Sequence, residues 1–133
     1  LEAYRLVAAD AGFAVERLCQ VIQVHSPSVL ALTAPERRQR EADGMATASD
    51  LCLGVLSADC VSILLADGKG RVAAVHAGWR GTVAGAAGAG TPYLSTRACW
   101  KLVKKSVAIF CAAMSTRREP SWAILPPTVA LAV

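Results

Sequence analysis

The chain has 133 residues, of which 54% are hydrophobic but only 5% are aromatic, and it carries a formal net charge of +4. This length predicts a single domain with a modest core, because alanine and valine bury little area per residue. No segment offers the roughly 18 to 20 predominantly apolar residues of a membrane-spanning helix, so we do not expect a protein that spans a membrane with helices. The five cysteines have no regular spacing, so we expect no disulfide framework and a cytoplasmic location.

The positive charge is confined to one end of the sequence. Residues 1–90 hold eight Lys and Arg against nine Asp and Glu, whereas residues 91–133 hold six against one. This tail has neither interleaved aromatic residues nor a zinc-finger pattern. We therefore do not expect nucleic acid as a partner, and nucleic-acid binding is an alternative that rests on the charge of the tail alone.

The first part of the chain predicts a helix, a strand and a charged segment. Apolar residues at helical spacing predict a helix that ends at Gly12. A segment rich in valine and isoleucine predicts a strand from about Leu18 to His25, closed by a Ser-Pro pair. Residues 34–43 are mostly charged, and we expect a solvated loop or a helical turn there.

Three strands are predicted next, over residues 51–60, 61–67 and 71–78. The last two are joined by a glycine-containing hairpin turn from Asp67 to Gly70. This assignment places Cys60 at a junction between strands.

The region beyond the third of these strands is harder to assign. We expect a helix after Gly81, but four glycines within residues 81–92 disfavour it by about 1 kcal/mol each. Further on, apolar residues near helical spacing around three lysines predict a basic amphipathic helix over residues 98–114.

His25, Cys60 and His76 are the candidate functional residues, because each lies at or just after the end of a predicted strand. Strand ends bring distant residues together, and their loops leave room for a ligand. Two imidazoles and one thiolate suit zinc with an open fourth position, which is the arrangement of a catalytic metal. The alternative is structural: ordinary hydrogen-bonded histidines and a small buried cysteine, which is the role that we expect for Cys19 and Cys52.

The segment HAGWRG, residues 76–81, combines several useful features. Its two glycines permit a close backbone approach or a positive φ, and Trp79 supplies an apolar wall. Arg80 offers a fork of donors for an anion beside a candidate helix start. Without a ligand, the same segment is a tight strand-to-helix turn. Nearby, Asp59 either orients a metal ligand or caps the end of a strand.

Four segments resemble, in order, the motifs of a known family: QVHS at 23–26, EADGMAT at 41–47, SADCVSILLAD at 57–67 and VAAVHAGWRGT at 72–82. They are similar to the YfiH-like laccase-domain proteins, also called the polyphenol oxidase or purine nucleoside phosphorylase family. The resemblance covers about residues 1–87. It implies an α/β fold, a layered sandwich around a mixed β-sheet.

The resemblance also implies a metal site and a reaction. The family's zinc ligands fall on His25, Cys60 and His76, and these three, with Arg80 for an anion, are the predicted catalytic residues. The implied activity is a zinc-dependent purine nucleoside phosphorylase with purine nucleoside and phosphate as its partners. It acts on adenosine, inosine, guanosine and methylthioadenosine, with adenosine deaminase activity beside it. Older descriptions of the family imply copper as the metal and oxidation of polyphenols as the alternative.

After about residue 87 the sequence departs from the family pattern. The expected long helix and a later Gly-Pro motif with its cysteine are not found, and the charge changes near the same place. We therefore predict two parts: residues 1–87 as the core of an incomplete YfiH-like fold, and residues 88–133 as a divergent tail that a frameshift would explain. A truncated non-catalytic remnant of the family is the alternative to an active enzyme.

Overall fold

The computed structural model describes residues 2–67, 69–93 and 99–111 of the chain. In order, the elements of this part are α1 (Glu2–Ala11), a 3-10 turn (Val15–Arg17), β1 (Leu18–Ile22), β2 (Val29–Leu32), β3 (Arg37–Glu41), β4 (Gly44–Thr47), β5 (Cys52–Ala66), β6 (Val72–Ala77), α2 (Trp79–Val83), α3 (Ala86–Ala89), a second 3-10 turn (Thr91–Tyr93) and β7 (Cys99–Cys111). None of these helices is long and apolar enough to span a membrane.

The strands form one mixed sheet in the order β2-β4-β6-β5-β1-β3, with β7 paired to β5. The pairs β1 with β3, β1 with β5, and β2 with β4 are parallel, whereas β6 is antiparallel to both β4 and β5. The chain therefore has the expected α/β fold with a mixed sheet.

β5 is the longest strand, and its pairing creates a gap in the sheet. Its first residues, Cys52 and Leu53, pair with both β1 and β7, whereas residues 61–66 pair with both β6 and β7. Because a strand has only two edges, β1 and β6 share one edge of β5. They leave a gap between them along residues 54–60, and both strands run toward this gap with their carboxyl ends.

β6 is the central strand of the core, and every one of its residues is buried. Val72 and Ala74 pack in a cluster on one face of the sheet with Leu53, Val55 and Met45. The alternate residues of β6, together with Ala86 of α3, pack in a cluster on the other face. Burial on both faces explains why β6 is a nearly continuous run of small apolar residues.

Three sequence predictions about the elements are wrong. Residues 37–41 form the exposed strand β3, and not the expected solvated loop or helical turn, because their backbone pairs with β1. The two strands predicted over residues 51–67 are one strand, β5, with a register shift between Ser57 and Val61. The predicted basic helix is the strand β7, because its backbone pairs with β5, and pairing overrides helical spacing.

The strand predicted from about Leu18 to His25 is β1, which ends at Ile22, and the helix expected after Gly81 begins at Trp79. Other element predictions agree with the structure. α1 lies where helical spacing predicts it, and the hairpin between β5 and β6 pairs Ala66 with Val72. Cys19 and Cys52 are fully buried as expected. Cys52 is disulfide-bonded, which the odd number and irregular spacing of the cysteines did not predict.

Candidate metal centre

The gap in the sheet brings His25, Cys60 and His76 together. His25 follows the carboxyl end of β1, His76 lies near the carboxyl end of β6, and Cys60 lies on β5 between them. One potential ligand atom from each residue lies within 4.8 Å of the others. Cys60 Sγ is 3.8 Å from His25 Nε2, and the two imidazole rings meet edge to face with centroids 5.0 Å apart. We call these three residues the His-Cys-His cluster.

His76 is oriented by a buried carboxylate. Asp43 is fully buried immediately before β4, and its Oδ1 lies 2.8 Å from Nδ1 of His76. Burial raises the pKa of Asp43, but hydrogen bonds from His76 and from the backbone of residues 24–26 together outweigh it, so the pKa is below its ordinary value. An ionised carboxylate only accepts, so the proton is on Nδ1 of His76 and Nε2 is left to bind a metal.

The same carboxylate shapes the loop that carries His25. The backbone N–H groups of Val24, His25 and Ser26 donate to Asp43 at 3.1, 2.9 and 2.6 Å. Three consecutive amides around one anion form a concave binding site for it. His25 adopts a φ of 62°, a left-handed conformation that costs a non-glycine residue about 1–3 kcal/mol. The hydrogen bonds to Asp43 offset this strain and hold His25 facing the cluster.

Gly78 permits the backbone after β6 to approach the cluster closely. A Cβ on Gly78 would lie 2.7 Å from Cδ2 of His25 and 3.0 Å from Sγ of Cys60. Gly81 likewise lies against the loop of His25, since a Cβ there would be 3.3 Å from the backbone oxygen of Ser26. The sequence prediction of close approach is therefore confirmed, whereas neither glycine has a positive φ.

The two residues between these glycines face solvent. Trp79 is 74% exposed, and Arg80 is exposed with its guanidinium carbon 5.4 Å from the centroid of the indole ring. Trp79 therefore faces solvent and not the core, and its role as an apolar wall for a ligand stays a prediction. The location of Arg80 leaves its donors available to an anion outside the cluster.

The carboxylate that orients a histidine in the structure is Asp43, and not Asp59, for which the sequence left open an orienting role or a strand cap. Asp59 is exposed on β5 at the register shift, whereas Asp43 contacts both histidine segments. Asp43 stands in the EADGMAT segment, which the sequence singled out without giving any residue in it a role. An acidic residue directly before a mostly apolar segment was the available signal, because an uncompensated charge is rarely buried.

The donor set and its geometry fit a zinc ion. Bond lengths of about 2.3 Å to sulfur and about 2.0–2.1 Å to nitrogen put the two ligand atoms of tetrahedral zinc about 3.6 Å apart. This spacing is close to the 3.8 Å between Cys60 Sγ and His25 Nε2. His76 is buried and His25 exposed, so a bound ion would be open to solvent on the side of His25. Two histidines and one cysteine also suit copper.

Comparison with known proteins identifies the family. A family model described as multi-copper polyphenol oxidoreductase laccase matches residues 1–130. The chain belongs to this family. The laccase-family chain is 40% identical over 79 residues to a purine nucleoside phosphorylase of Deinococcus radiodurans, covering 58% of this chain and 30% of that protein. It is 44% identical over 66 residues to the purine nucleoside phosphorylase YfiH of Shigella flexneri, covering 47% and 27%.

A solved structure shows the same fold. YlmD from Geobacillus stearothermophilus superposes with a TM-score of 0.57 at 31% identity, covering 64% of the laccase-family chain and 36% of YlmD. The chain thus spans about a third of the length of the relatives that it matches. The predicted resemblance to YfiH-like proteins is confirmed. The division at residue 87, and the roles of the site residues, stay predictions.

Proposed function

We propose that the chain carries the zinc site of a purine nucleoside phosphorylase. The observation that carries this proposal is the convergence of His25, Cys60 and His76 on one point at the gap in the sheet. The names of the curated relatives support the activity. In the reaction, phosphate bonds to C1′ of adenosine as the glycosidic bond to the purine breaks, which releases adenine and ribose 1-phosphate. Inosine, guanosine and methylthioadenosine are further proposed substrates.

The residues of the chain have distinct parts in this proposal. His25, Cys60 and His76 hold the ion, and Asp43 keeps the proton on Nδ1 of His76. Bound zinc polarises substrate oxygens or lowers the pKa of water, which also suits the proposed deamination of adenosine to inosine and ammonia. Arg80 binds the phosphate through its exposed guanidinium.

The proposal is tested by product formation from adenosine with and without inorganic phosphate. We expect adenine and ribose 1-phosphate only when phosphate is present, and no product from His76→Ala. Arg80→Ala should lower kcat/KM for phosphate by roughly 10- to 1000-fold, or a few kcal/mol, because it removes one anion contact. Arg5→Ala, at an exposed arginine on α1, is the matched control. Product formation by His76→Ala at the wild-type rate would contradict the mechanism.

Metal analysis of the same preparations separates the alternatives. Wild type should contain about one zinc per chain, and Cys60→Ala should contain much less. Equal zinc in both proteins would rule out the site. Copper with oxidation of a phenol would favour the polyphenol oxidase alternative, which the family description also suggests. Zinc without nucleoside turnover would favour a non-catalytic remnant.

A further inference from the structure

Gln23 makes a pair of hydrogen bonds that join the two sides of the gap in the sheet. Its Nε2 donates to the backbone oxygen of Leu56, and its Oε1 accepts from the backbone N–H of Leu56, both at 2.8 Å. A carboxamide that donates to and accepts from one residue reproduces the bonds that a neighbouring strand would make.

These bonds lie where backbone pairing between β1 and β5 has ended. The two strands pair at Leu18 with Cys52 and at Cys19 with Leu53. The backbone beyond Cys19 turns toward β3 and the segment after it, where the N–H of Ala42 donates to the oxygen of Ile22 at 3.1 Å. The Gln23 side chain therefore continues the contact with β5 that the backbone of β1 gives up.

The residues joined in this way carry two members of the His-Cys-His cluster. His25 follows Gln23 by two residues, and Cys60 follows Leu56 by four, within the register shift of β5 between Ser57 and Val61. Asp43 joins the loop of His25 to His76. Gln23 makes the corresponding connection between the loop of His25 and the strand that carries Cys60.

We infer that Gln23 is a positioning residue that sets the separation of Cys60 Sγ and His25 Nε2 for metal binding. The inference rests on the metal site of the proposed function, but not on the reaction catalysed there. Without the Gln23 amide, the backbone N–H and oxygen of Leu56 lose the two hydrogen bonds that cross the gap, just before the register shift in β5. The hydrogen bonds that fix the position of Cys60 relative to His25 are then lost.

The test is binding of Co²⁺ and Zn²⁺ to the full chain. Cobalt bound by a thiolate shows a sulfur-to-metal charge-transfer band, so the spectrum reports whether Cys60 is a ligand. Zinc affinity is measured by competition with a chromophoric chelator. The variants are Gln23→Ala and Gln23→Glu, which keeps the acceptor for the N–H of Leu56 but loses the donor to its oxygen. The control is Gln20→Ala, at a buried glutamine of β1 that donates to Tyr4 Oη at 3.1 Å.

We expect Gln23→Ala to weaken zinc binding by about 10- to 100-fold, the range seen when groups that orient metal ligands are removed. Its cobalt band should weaken, Gln23→Glu should be intermediate, and Gln20→Ala should match wild type. Unchanged binding in both Gln23 variants overturns the inference, and so does an equal loss in Gln20→Ala, which would indicate a general loss of stability. A wild-type chain that binds neither metal overturns the inference together with the metal site. Metal binding without phosphorolysis would count against the proposed reaction alone.

Discussion

At the scale of single residues, the candidate site depends on Asp43 as much as on its potential ligands. One fully buried carboxylate accepts from three backbone amides of the His25 loop and from the His76 ring. It therefore orients one histidine directly and holds another in a strained backbone conformation. The sequence predicted the potential ligands from their places at strand ends. It gave this carboxylate no role, because the contacts of Asp43 join residues that are distant along the chain.

Replacing Asp43 should affect both stability and metal binding. Asp43→Asn preserves the size of the side chain but replaces one accepting oxygen with a donor, which faces backbone amides that also donate. We expect the free energy of unfolding to fall by at least about 2 kcal/mol, because several hydrogen bonds to a buried charge are lost or reversed. Zinc affinity should fall by about 10- to 100-fold. Urea unfolding and chelator competition measure the two effects.

The matched control for this prediction is Asp59→Asn, at an exposed aspartate beside Cys60. It should leave stability within about 0.5 kcal/mol of wild type, as is usual for surface substitutions. Zinc affinity should also be unchanged. A larger effect at Asp59 than at Asp43 would mean that Asp59 orients the metal ligands and that the hydrogen bonds of Asp43 do not.

At the scale of elements, the strands that the sequence predicted correctly are those with an apolar pattern of their own. β6 is one, because burial on both faces requires small apolar residues throughout. β2 and β4, of four residues each, were not predicted. Nor were β3 and β7, because exposed charges fill the first and three lysines lie in the second. Both strands are defined by pairing with a neighbour, and a single sequence does not contain that information. The register shift in β5 was interpreted as a junction between two strands for the same reason.

β3 is anchored by a buried glutamate whose ionisation should make stability depend on pH. The Glu36 carboxylate accepts from the backbone N–H of Gln39 at 2.8 Å and from Nε of Arg40 at 2.6 Å. Burial raises the pKa of Glu36, but these hydrogen bonds and the charge of Arg40 lower it by more than burial raises it, so the pKa is below its ordinary value. The Glu36 carboxylate therefore binds a proton less readily in the folded chain than in the unfolded chain, whose glutamates titrate at about pH 4.3.

The resulting prediction concerns stability at acid pH. The contribution of Glu36 is complete above the unfolded pKa and is lost as the pH falls through the lower, folded value. Glu36→Gln should therefore lose less free energy of unfolding than wild type between about pH 6 and pH 3. Urea unfolding across that range measures the difference. Glu41→Gln, at an exposed residue of β3, should retain the wild-type slope. An unchanged slope in Glu36→Gln would show that its hydrogen bonds do not stabilise the ionised form.

At the scale of the whole molecule, the candidate site lies where one sheet is interrupted. β1 and β6 end against the same edge of β5, and the loops beyond their carboxyl ends supply the two histidines. The motif order in the sequence predicted the family and the set of potential ligands. The gap itself follows from the register of three strands, which is a property of the assembled sheet. The predicted division of the chain into a core of residues 1–87 and a divergent tail of residues 88–133 belongs to this scale as well.

The last prediction tests whether the segment after residue 87 is less well protected than the core. β6 lies between β4 and β5, whereas β7 pairs with β5 alone among the described strands and contains Lys101, Lys104 and Lys105. Amides of an edge strand open more readily than those of a central strand. We therefore expect amides of residues 99–111 to exchange with deuterium at least roughly tenfold faster than those of β6.

Limited proteolysis gives an independent measurement of the same property. Trypsin should cut after the lysines of β7 before it cuts after Arg71, directly before β6, where cleavage should follow only when the sheet unfolds. The amides of β4, which is paired on both sides by β2 and β6, serve as the internal standard for a central strand. If β7 is as well protected as β4 and β6 and trypsin cuts both places together, then residues 88–133 are an integral part of the domain. In that case the change in charge near residue 90 would mark divergence within one fold and not a break in it.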